Sequence, residues 1–296
     1  FYSHPAVYVM VLPVFGFFSE IFPVYARKPL FGYHVVAIAS FGIVLLSLIV
    51  WVHHMFTSGT PQWMRHLFMV TTMLIAVPTG IKVFAWIATL WRGKLWLTTA
   101  MLFAMGGVFN FIFAGITGIM LATVPVDVHV GNTYFVVGHF HTVIFSTITF
   151  GVYAAIYHWF PKFTGRMLYE GLGKVHFLLT FVGAQLNFLP MHWAGLMGMP
   201  RRVASYDPEF ALANVLASLG AFLLGVAMIP FLLNLVSSWA RGAPAPANPW
   251  QAIGLEWLLP SPPPAENFEH DVPTVISGPY GYGLGHPLVA DQARYE

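Results

Sequence analysis

Seven long apolar stretches restrict this sequence to folds that cross a lipid bilayer. Each has about the 20 residues that a helix needs to span the hydrocarbon core. Of the 296 residues, 57% are hydrophobic and 8% are charged, whereas soluble domains carry about 25% charged residues. The sequence predicts an all-α integral membrane protein, a polytopic bundle with about seven transmembrane helices. They are expected near residues 1–24, 35–57, 66–91, 97–123, 132–160, 172–195 and 209–238.

The distribution of Lys and Arg predicts how the bundle is oriented. Seven basic residues lie in the loops after the first, third and fifth stretches, against three in the opposite loops. Cytoplasmic loops are enriched in basic residues, so the side with seven is expected to be cytoplasmic. Residues 1–240 then form the bundle, and residues 241–296 form an extended Pro/Gly-rich cytoplasmic tail without a core of its own. Because the chain opens on Phe1 inside an apolar stretch, we expect further helices before it.

The absence of cysteine narrows the metal chemistry. With no Cys in the chain, disulfides, zinc–thiolate sites and iron–sulfur clusters are excluded, and histidine becomes the main metal ligand. The net charge of +2 comes from dispersed Lys and Arg residues. We therefore expect the lipid bilayer as the surrounding medium and no nucleic acid as a partner.

Histidines in or beside the apolar stretches are the candidate metal ligands, because ionisable side chains in hydrocarbon usually mark function. His53 and His54 diverge by about 100° on a helix, and one metal close to that helix could take both. His4 is the natural third ligand, and three imidazoles with an open position suit copper or zinc. Tyr8, one helical turn after His4, would lie beside the metal. The alternative is structural or interfacial histidines and a core tyrosine.

A second histidine pair points to two further metals. His139 and His141 face nearly opposite sides of a helix, so they can bind metals on either side of it but cannot share one. The alternative is two packed histidines that hydrogen-bond to neighbouring helices. Lys82 lies in the middle of the third stretch with Thr79 on the same face, which predicts a polar path for protons, with a local ion pair as the alternative.

Five motifs, occurring in the family's order, resemble subunit I of the haem–copper oxygen reductases, the catalytic subunit of cytochrome c oxidase. The resemblance covers roughly residues 1–240. It implies that this chain is the C-terminal part of a subunit of roughly twelve helices. The motifs are His4-Pro-Ala-Val-Tyr8, Trp51-Val-His-His-Met-Phe56, Pro78-Thr-Gly-Ile-Lys82-Val-Phe, Val137-Gly-His-Phe-His141 and Gly198-Met-Pro-Arg-Arg202.

The resemblance implies two haems, of the haem A type, and one copper ion, copper B. His139 would bind the high-spin haem iron. His141 would bind the low-spin haem iron, whose second axial ligand would lie outside this chain. Tyr8, cross-linked to the His4 ring, would supply an electron and a proton for cleavage of the O–O bond. The other implied contacts are copper B with His4, His53 and His54, and the haem propionates with Arg201 and Arg202.

The implied proton path departs from the usual pattern at one position. Many members carry a proton-relaying glutamate where this chain has Ala6, and the chain resembles the subgroup with Tyr-Ser before the first motif. Tyr2 and Ala6 share a helix face. We therefore expect Tyr2, with Ser3, to take over the relay. The remainder of the implied path is Ser19, Thr79, Lys82 and Tyr8.

A second departure concerns a magnesium or manganese ion. Members usually have His-Asp where this chain has Gly131–Asn132, and they bind the ion there near the propionates. Glycine offers no side chain, and the Asn132 amide offers only a neutral oxygen. The sequence therefore does not favour this metal unless His129 or Asp127 compensates.

The resemblance implies a terminal respiratory oxidase of a bacterial inner (plasma) membrane that reduces O2 to water and is coupled to proton translocation. Cytochrome c is the expected electron donor. Expected partners are subunit II with a dinuclear copper centre, subunit III, and cytochrome c or a fused cytochrome c domain. A quinol oxidase and a nitric oxide reductase of the same superfamily are alternatives, although Tyr8 and Lys82 argue against the reductase. The non-enzyme alternative is a polytopic ion transporter.

Overall fold

The computed structural model describes residues 1–268, 272–278, 281–282 and 287–290. Within these residues the regular elements are helical. The α-helices are α1 (Ser3–Ala26), α2 (Tyr33–Ser47), α3 (Gln62–Leu74), α4 (Ala76–Leu90), α5 (Thr99–Ala122), α6 (Val124–Val130), α7 (Tyr134–His141), α8 (Phe150–Thr164), α9 (Glu170–Leu196) and α10 (Ala211–Arg241).

Six helical segments of the described chain are long and apolar enough to cross a membrane. They match six of the seven predicted spans, and the predicted fold class is confirmed. Large apolar side chains on their outer faces are exposed, as lipid-facing residues are; Phe84 and Phe222 are 73% and 75% exposed. The segments are Ser3–Ala26, Gln62–Leu90, Thr99–Ala122, Tyr134–Thr164, Glu170–Leu196 and Pro208–Arg241.

The predicted continuous helix over residues 35–57 is wrong, and the neighbouring helix accommodates the break. α2 ends at Ser47, and Trp51–Met55 form a separate 3₁₀ turn, called here the histidine turn. Thr71 Oγ1 of α3 donates to the freed main-chain oxygen of Ile49 at 2.8 Å. Non-helical backbone at membrane depth is tolerated only where such partners satisfy it, so α3 permits the break.

The helix predicted over residues 132–160 also contains a change of geometry. α7 ends at His141, and Thr142–Thr149 form a π-helical segment before α8. Thr147 Oγ1 donates to the main-chain oxygen of Thr142, five residues earlier, at 3.3 Å. π-helical turns are rare and often occur at functional sites. Both histidines of the fourth motif lie in the last turn of α7, directly before this segment.

Glycines bring the main chains of α7, α9 and α10 close together. A Cβ on Gly195 of α9 would collide with the main-chain nitrogen of Phe135 in α7. A Cβ on Gly220 of α10 would lie 2.7 Å from the Cα of Asn187 in α9. Small residues allow such approaches between membrane helices, so these glycines fix the position of the helix that carries His139 and His141.

The tail packs onto one end of the bundle. Lys162 Nζ of α8 donates to the main-chain oxygens of Ala247 and Leu259, each at 2.8 Å. Trp250 Nε1 donates to the main-chain oxygen of His158 at 2.8 Å, and Trp250 and Trp257 are buried in the same core as the helices. The sequence did not indicate this docking. Tail residues 269–271, 279–280, 283–286 and 291–296 lie outside the described residues.

Candidate metal centre

Three imidazole rings converge between the start of α1 and the histidine turn. His4, His53 and His54 are the one group of at least three His, Cys, Asp or Glu residues within the described ranges that could hold a metal ion. Their ligand atoms all lie within 4.8 Å of one another. The ring centres of His4 and His53 are 4.6 Å apart, and the Nε2 atoms of His53 and His54 are 3.0 Å apart.

The His53 and His54 geometry differs from that of neighbours on an α-helix. Both residues lie in the histidine turn, and their ring centres are 4.1 Å apart. Rings that would diverge by about 100° on an α-helix therefore come together here. The 3₁₀ geometry of the turn therefore brings both rings toward one point.

The lone pairs directed into this cluster fit a bound cation. The His4 side chain is 8% exposed, and its Nε2 has no hydrogen-bond partner among the described residues. His53 Nδ1 lies 3.0 Å from Thr72 Oγ1, and that hydroxyl gives its single hydrogen to the main-chain oxygen of Phe68 at 2.5 Å. The Thr72 oxygen must then accept from His53 Nδ1–H, which leaves the lone pair on His53 Nε2.

The spacing is close to that of a metal site. A metal-bound imidazole nitrogen lies about 2.0–2.1 Å from its ion, so two ligands of one ion are at most about 4 Å apart. The 4.8 Å limit observed here exceeds that by less than about 1 Å, which side-chain rotation can close. Because three neutral imidazoles suit copper, the residues fit this metal.

Tyr8 lies beside the cluster. Its ring centre is 4.8 Å from that of His4, one turn earlier on α1, and the two rings are tilted by 52°. The phenol is thus close to the imidazole that would bind the metal, as the sequence spacing predicted.

His139 and His141 face different neighbours. His139 Nδ1 lies 3.0 Å from Thr117 Oγ1 of α5. The His141 ring stacks on Phe188 of α9, with ring centres 5.5 Å apart, and its Nδ1 is 2.9 Å from the main-chain oxygen of Val137. In both rings Nδ1 is engaged, which leaves Nε2 as the nitrogen available to a metal. The two residues can therefore serve separate metals on two sides of α7.

Two of the predicted proton-path residues border a cleft between α1, α2 and α4. The cleft has a volume of about 280 Å³ and is lined by Lys82 and Ser19, but not by Thr79. Lys82 is 3% exposed, and its Nζ lies 5.5 Å from the centre of the Phe15 ring. Ser19 Oγ accepts from Trp86 Nε1 at 3.0 Å. Polar atoms thus enter an otherwise apolar region.

The other predicted relay residues lie apart from this cleft. Tyr2 is 84% exposed, and Ser3 at the start of α1 is also exposed. Thr79 Oγ1 donates to the main-chain oxygen of Ile75 at 2.8 Å. Neither Tyr2 nor Ser3 lines the cleft that holds Lys82 and Ser19.

Arg201 and Arg202 lie at the end of the bundle opposite the tail. Arg201 is half-buried, and Arg202 is exposed with a left-handed φ of 65°. Arg201 Nη2 donates to Asn132 Oδ1 at 3.3 Å, while its buried Nε has no partner among the described residues. A guanidinium with an unpartnered N–H can donate to an anion, which is consistent with the predicted contact with a propionate.

Asp127 interacts electrostatically with Arg201 of this basic pair. Burial raises the pKa of Asp127 to about 6, although the positive charge of Arg201 acts in the opposite direction. A Cβ on Gly131 would lie 2.6 Å from Asp127 Oδ1, so Asp127 occupies the space beside Gly131. His129 is exposed, and neither it nor Asp127 belongs to a group of three candidate ligands in the part of the chain described. These contacts do not favour a magnesium or manganese site built from this chain alone.

Comparisons with known proteins address the family. A sequence profile described as cytochrome c and quinol oxidase polypeptide I matches residues 1–223. The chain belongs to this family. The resemblance found in the motifs is confirmed, and the membrane helix bundle is the fold expected of an oxidase polypeptide I.

Two relatives illustrate how much of the family's length is present. The chain is 56% identical over 292 residues to cytochrome c oxidase subunit 1 of Synechocystis sp., covering 99% of this chain and 53% of that protein. It is 56% identical over 284 residues to the same subunit of Thermostichus vulcanus, covering 96% and 51%. The chain thus spans about half the length of these relatives.

A solved structure supports the fold. A cryo-EM structure of a haem–copper terminal oxidase dimer matches with a TM-score of 0.74 at 23% sequence identity, covering 82% of this chain and 48% of that one. At this identity the likeness establishes the helix arrangement of the oxidase polypeptide.

The sequence interpretation missed two threonines that contact candidate ligands. Thr72 and Thr117 reach His53 and His139 from other helices. A hydroxyl in an apolar span indicates that a polar partner lies nearby, because a buried hydroxyl needs a hydrogen bond. The sequence could not identify that partner, since it belongs to another helix. Buried His158, His176 and His192, 1%, 0% and 4% exposed, were also not singled out.

Proposed function

We propose that this chain carries the oxygen-reducing centre of a terminal respiratory oxidase. The observation that supports it most is the convergence of His4, His53 and His54, with the unpartnered Nε2 of His4 beside Tyr8. Copper and haem iron would supply the redox chemistry that reduces O2 to water. Relatives named cytochrome c oxidase subunit 1 support the same activity.

The metal ligands of this proposal are five histidines. His139 would hold the high-spin haem iron, and His141 the low-spin haem iron, through the nitrogens that their hydrogen bonds leave free. We infer haem of the A type from the family resemblance. The copper ligands would be His4, His53 and His54, and the propionate partners would be Arg201 and Arg202.

Protons for the reaction would come from residues of this chain. The phenol of Tyr8 can give a proton and an electron beside the copper site. Lys82 can take up and release a proton at its Nζ, and we infer that the cleft that it shares with Ser19 admits water to it. We propose that Thr79 continues this path, that Tyr2 with Ser3 replaces the missing glutamate relay, and that the reaction is coupled to proton translocation.

The same proposal includes the setting of the protein. Cytochrome c, or a fused cytochrome c domain, would be the electron donor through the dinuclear copper centre of subunit II, with subunit III as a further partner. The complex would lie in a bacterial inner membrane with its tail on the cytoplasmic side. Arg27 and Arg166 group with tail residues at one end, which supports this orientation. Arg27 Nη1 donates to the main-chain oxygen of Gln251, and Arg166 Nη1 donates to that of Gly242.

Two measurements on the purified complex test this function. A reduced-minus-oxidised visible spectrum should show two haems, and O2 uptake should be driven by reduced cytochrome c. Uptake driven by quinol alone would indicate a quinol oxidase, whose family the profile also includes. A complex without haem absorbance would contradict the proposal and favour an ion transporter.

A further inference from the structure

We propose that Thr117 is a positioning residue for His139: its hydroxyl fixes which ring nitrogen carries the proton and directs Nε2 toward the metal. The inference rests on the proposed function, in which His139 binds the high-spin haem iron. Thr117 lies on α5. Within the described residues, its side-chain hydrogen bonds go to Ala114 and His139 and not to the cluster of His4, His53 and His54.

The hydrogen-bond geometry around Thr117 determines the tautomer. Thr117 Oγ1 lies 3.0 Å from the main-chain oxygen of Ala114 and 3.0 Å from His139 Nδ1. A hydroxyl has one hydrogen, and a carbonyl oxygen can only accept. Both contacts are satisfied only if Thr117 donates to Ala114 and His139 Nδ1–H donates to Thr117. The lone pair of His139 then lies on Nε2.

Burial stabilises the hydrogen bond between His139 Nδ1 and Thr117 Oγ1. Thr117 is 4% exposed, so water does not readily replace its hydroxyl. The main-chain oxygen of Ala114 is also a hydrogen-bond partner of His139, so removing the hydroxyl leaves Nδ1–H with one acceptor instead of two, which is unfavourable in a buried site. The His139 ring therefore has a strong preference for the orientation in which Nδ1 meets the Thr117 oxygen.

Gly118 supplies the second constraint on the ring. A Cβ at this position would lie 3.0 Å from His139 Cε1, which is closer than most side chains approach each other. The imidazole therefore rests against bare backbone of α5, while the adjacent Thr117 holds its Nδ1. One polar contact and one steric contact together restrict the tilt of the ring.

The hydrogen bond also affects the donor strength of His139. A metal-bound imidazole that donates its second N–H becomes a stronger ligand, and such partners commonly fix ring orientation. The acceptor here is a neutral hydroxyl that is itself polarised by its bond to Ala114. Removing the hydroxyl should weaken electron donation from Nε2 to iron.

The test compares Thr117→Val, Thr117→Ala and Thr117→Ser in the complete oxidase complex. The readouts are the iron–histidine stretching frequency in the resonance Raman spectrum of the reduced high-spin haem, and the midpoint potential of that haem. Val and Ala should lower the frequency and raise the potential. Ser, which keeps the hydroxyl, should retain both wild-type values.

Each outcome decides the inference. Wild-type values in Val and Ala would overturn it, as would a Ser variant that behaves like Val. If Val and Ala fail to retain the high-spin haem while Ser retains it, the hydroxyl is required and the inference is supported. If all three lose the haem, side-chain shape rather than the hydroxyl matters and the inference fails. A wild-type complex without a high-spin haem signal would instead refute the proposed function.

Discussion

At the scale of residues, the candidate ligands are oriented by side chains that do not bind metal themselves. Thr72 and Thr117 each give their hydrogen to a carbonyl oxygen of their own helix and accept from the Nδ1 of a histidine on another element. The same device therefore directs the Nε2 atoms of His53 and His139 away from the supporting helix. Metal affinity should depend on these threonines.

Replacing Thr72 by Val should lower copper affinity by about 10–100-fold, because the loss of a partner that orients a ligand has effects of this size. Thr72→Ser keeps the hydroxyl and should retain wild-type affinity. Copper bound per complex, measured after equilibration with a chelator of known affinity, checks the expectation. Equal copper retention in the Val and wild-type complexes would show that Thr72 has no such role.

The carboxyl group of Asp127 should titrate far above its ordinary range. Burial raises its pKa from 3.8 to about 6, so the group is protonated below about pH 6 and charged above it. The folded state then holds a proton that the unfolded chain has lost between these two values, and stability should fall as pH rises through this window. The infrared carboxyl band assigned by its absence in Asp127→Asn should disappear with a midpoint near 6. A midpoint near 3.8 would contradict the account.

At the scale of elements, close helix contacts determine where the candidate ligands lie. α9 lies between α7, which carries His139 and His141, and α10. Gly183 and Gly220 form its contact with α10, and a Cβ on Gly220 would lie 2.7 Å from the main-chain oxygen of Gly183. Because packed interiors respond to even one added carbon, substitutions at this contact should shift α7, which carries the candidate haem ligands.

Gly220→Ala should destabilise the complex by about 1–3 kcal/mol, the usual cost of overpacking. Gly225→Ala on the same helix is the matched control, since a Cβ there meets nothing within 4 Å. The control should be neutral or stabilising by up to about 1 kcal/mol, because Ala favours helix over Gly. The thermal midpoint of haem loss measures both. Equal midpoints for the two variants would refute the proposed contact.

Sequence patterns predicted the helices that the composition of a single segment determines. They missed the features that depend on contacts with another helix. Apolar length located six of the membrane-spanning helices, and the His139–His141 spacing indicated two opposed faces. The end of α2 at Ser47 was not predictable, because the hydroxyl of Thr71 that accommodates it belongs to α3. The π-helical segment Thr142–Thr149 likewise has no period that apolar residues could reveal.

At the scale of the whole molecule, the tail is held to the bundle by a buried lysine. Lys162 is 3% exposed and donates to three main-chain oxygens of the tail, those of Ala247, Leu259 and Pro260. A buried ammonium group is stable only when its donors are satisfied. The lysine and the tail therefore stabilise each other, a relation that tail composition alone could not indicate.

Lys162→Met should loosen the tail and make the segment around Pro260 more sensitive to protease by at least several-fold. Lys174→Met, at an exposed site on α9, is the control and should leave sensitivity unchanged. Limited proteolysis of the purified complex, followed by mass spectrometry of the fragments, measures the difference. Equal cleavage rates in both variants would mean that the lysine does not anchor the tail.

The central claim is that three imidazoles of this chain bind one copper ion, and copper counting tests it most directly. Copper per complex is measured for the wild type, for His53→Ala and for the control His129→Ala, an exposed histidine outside the cluster. The account predicts one copper fewer in His53→Ala than in the wild type, with the control unchanged and haem retained in all three. Unchanged copper in His53→Ala would contradict it.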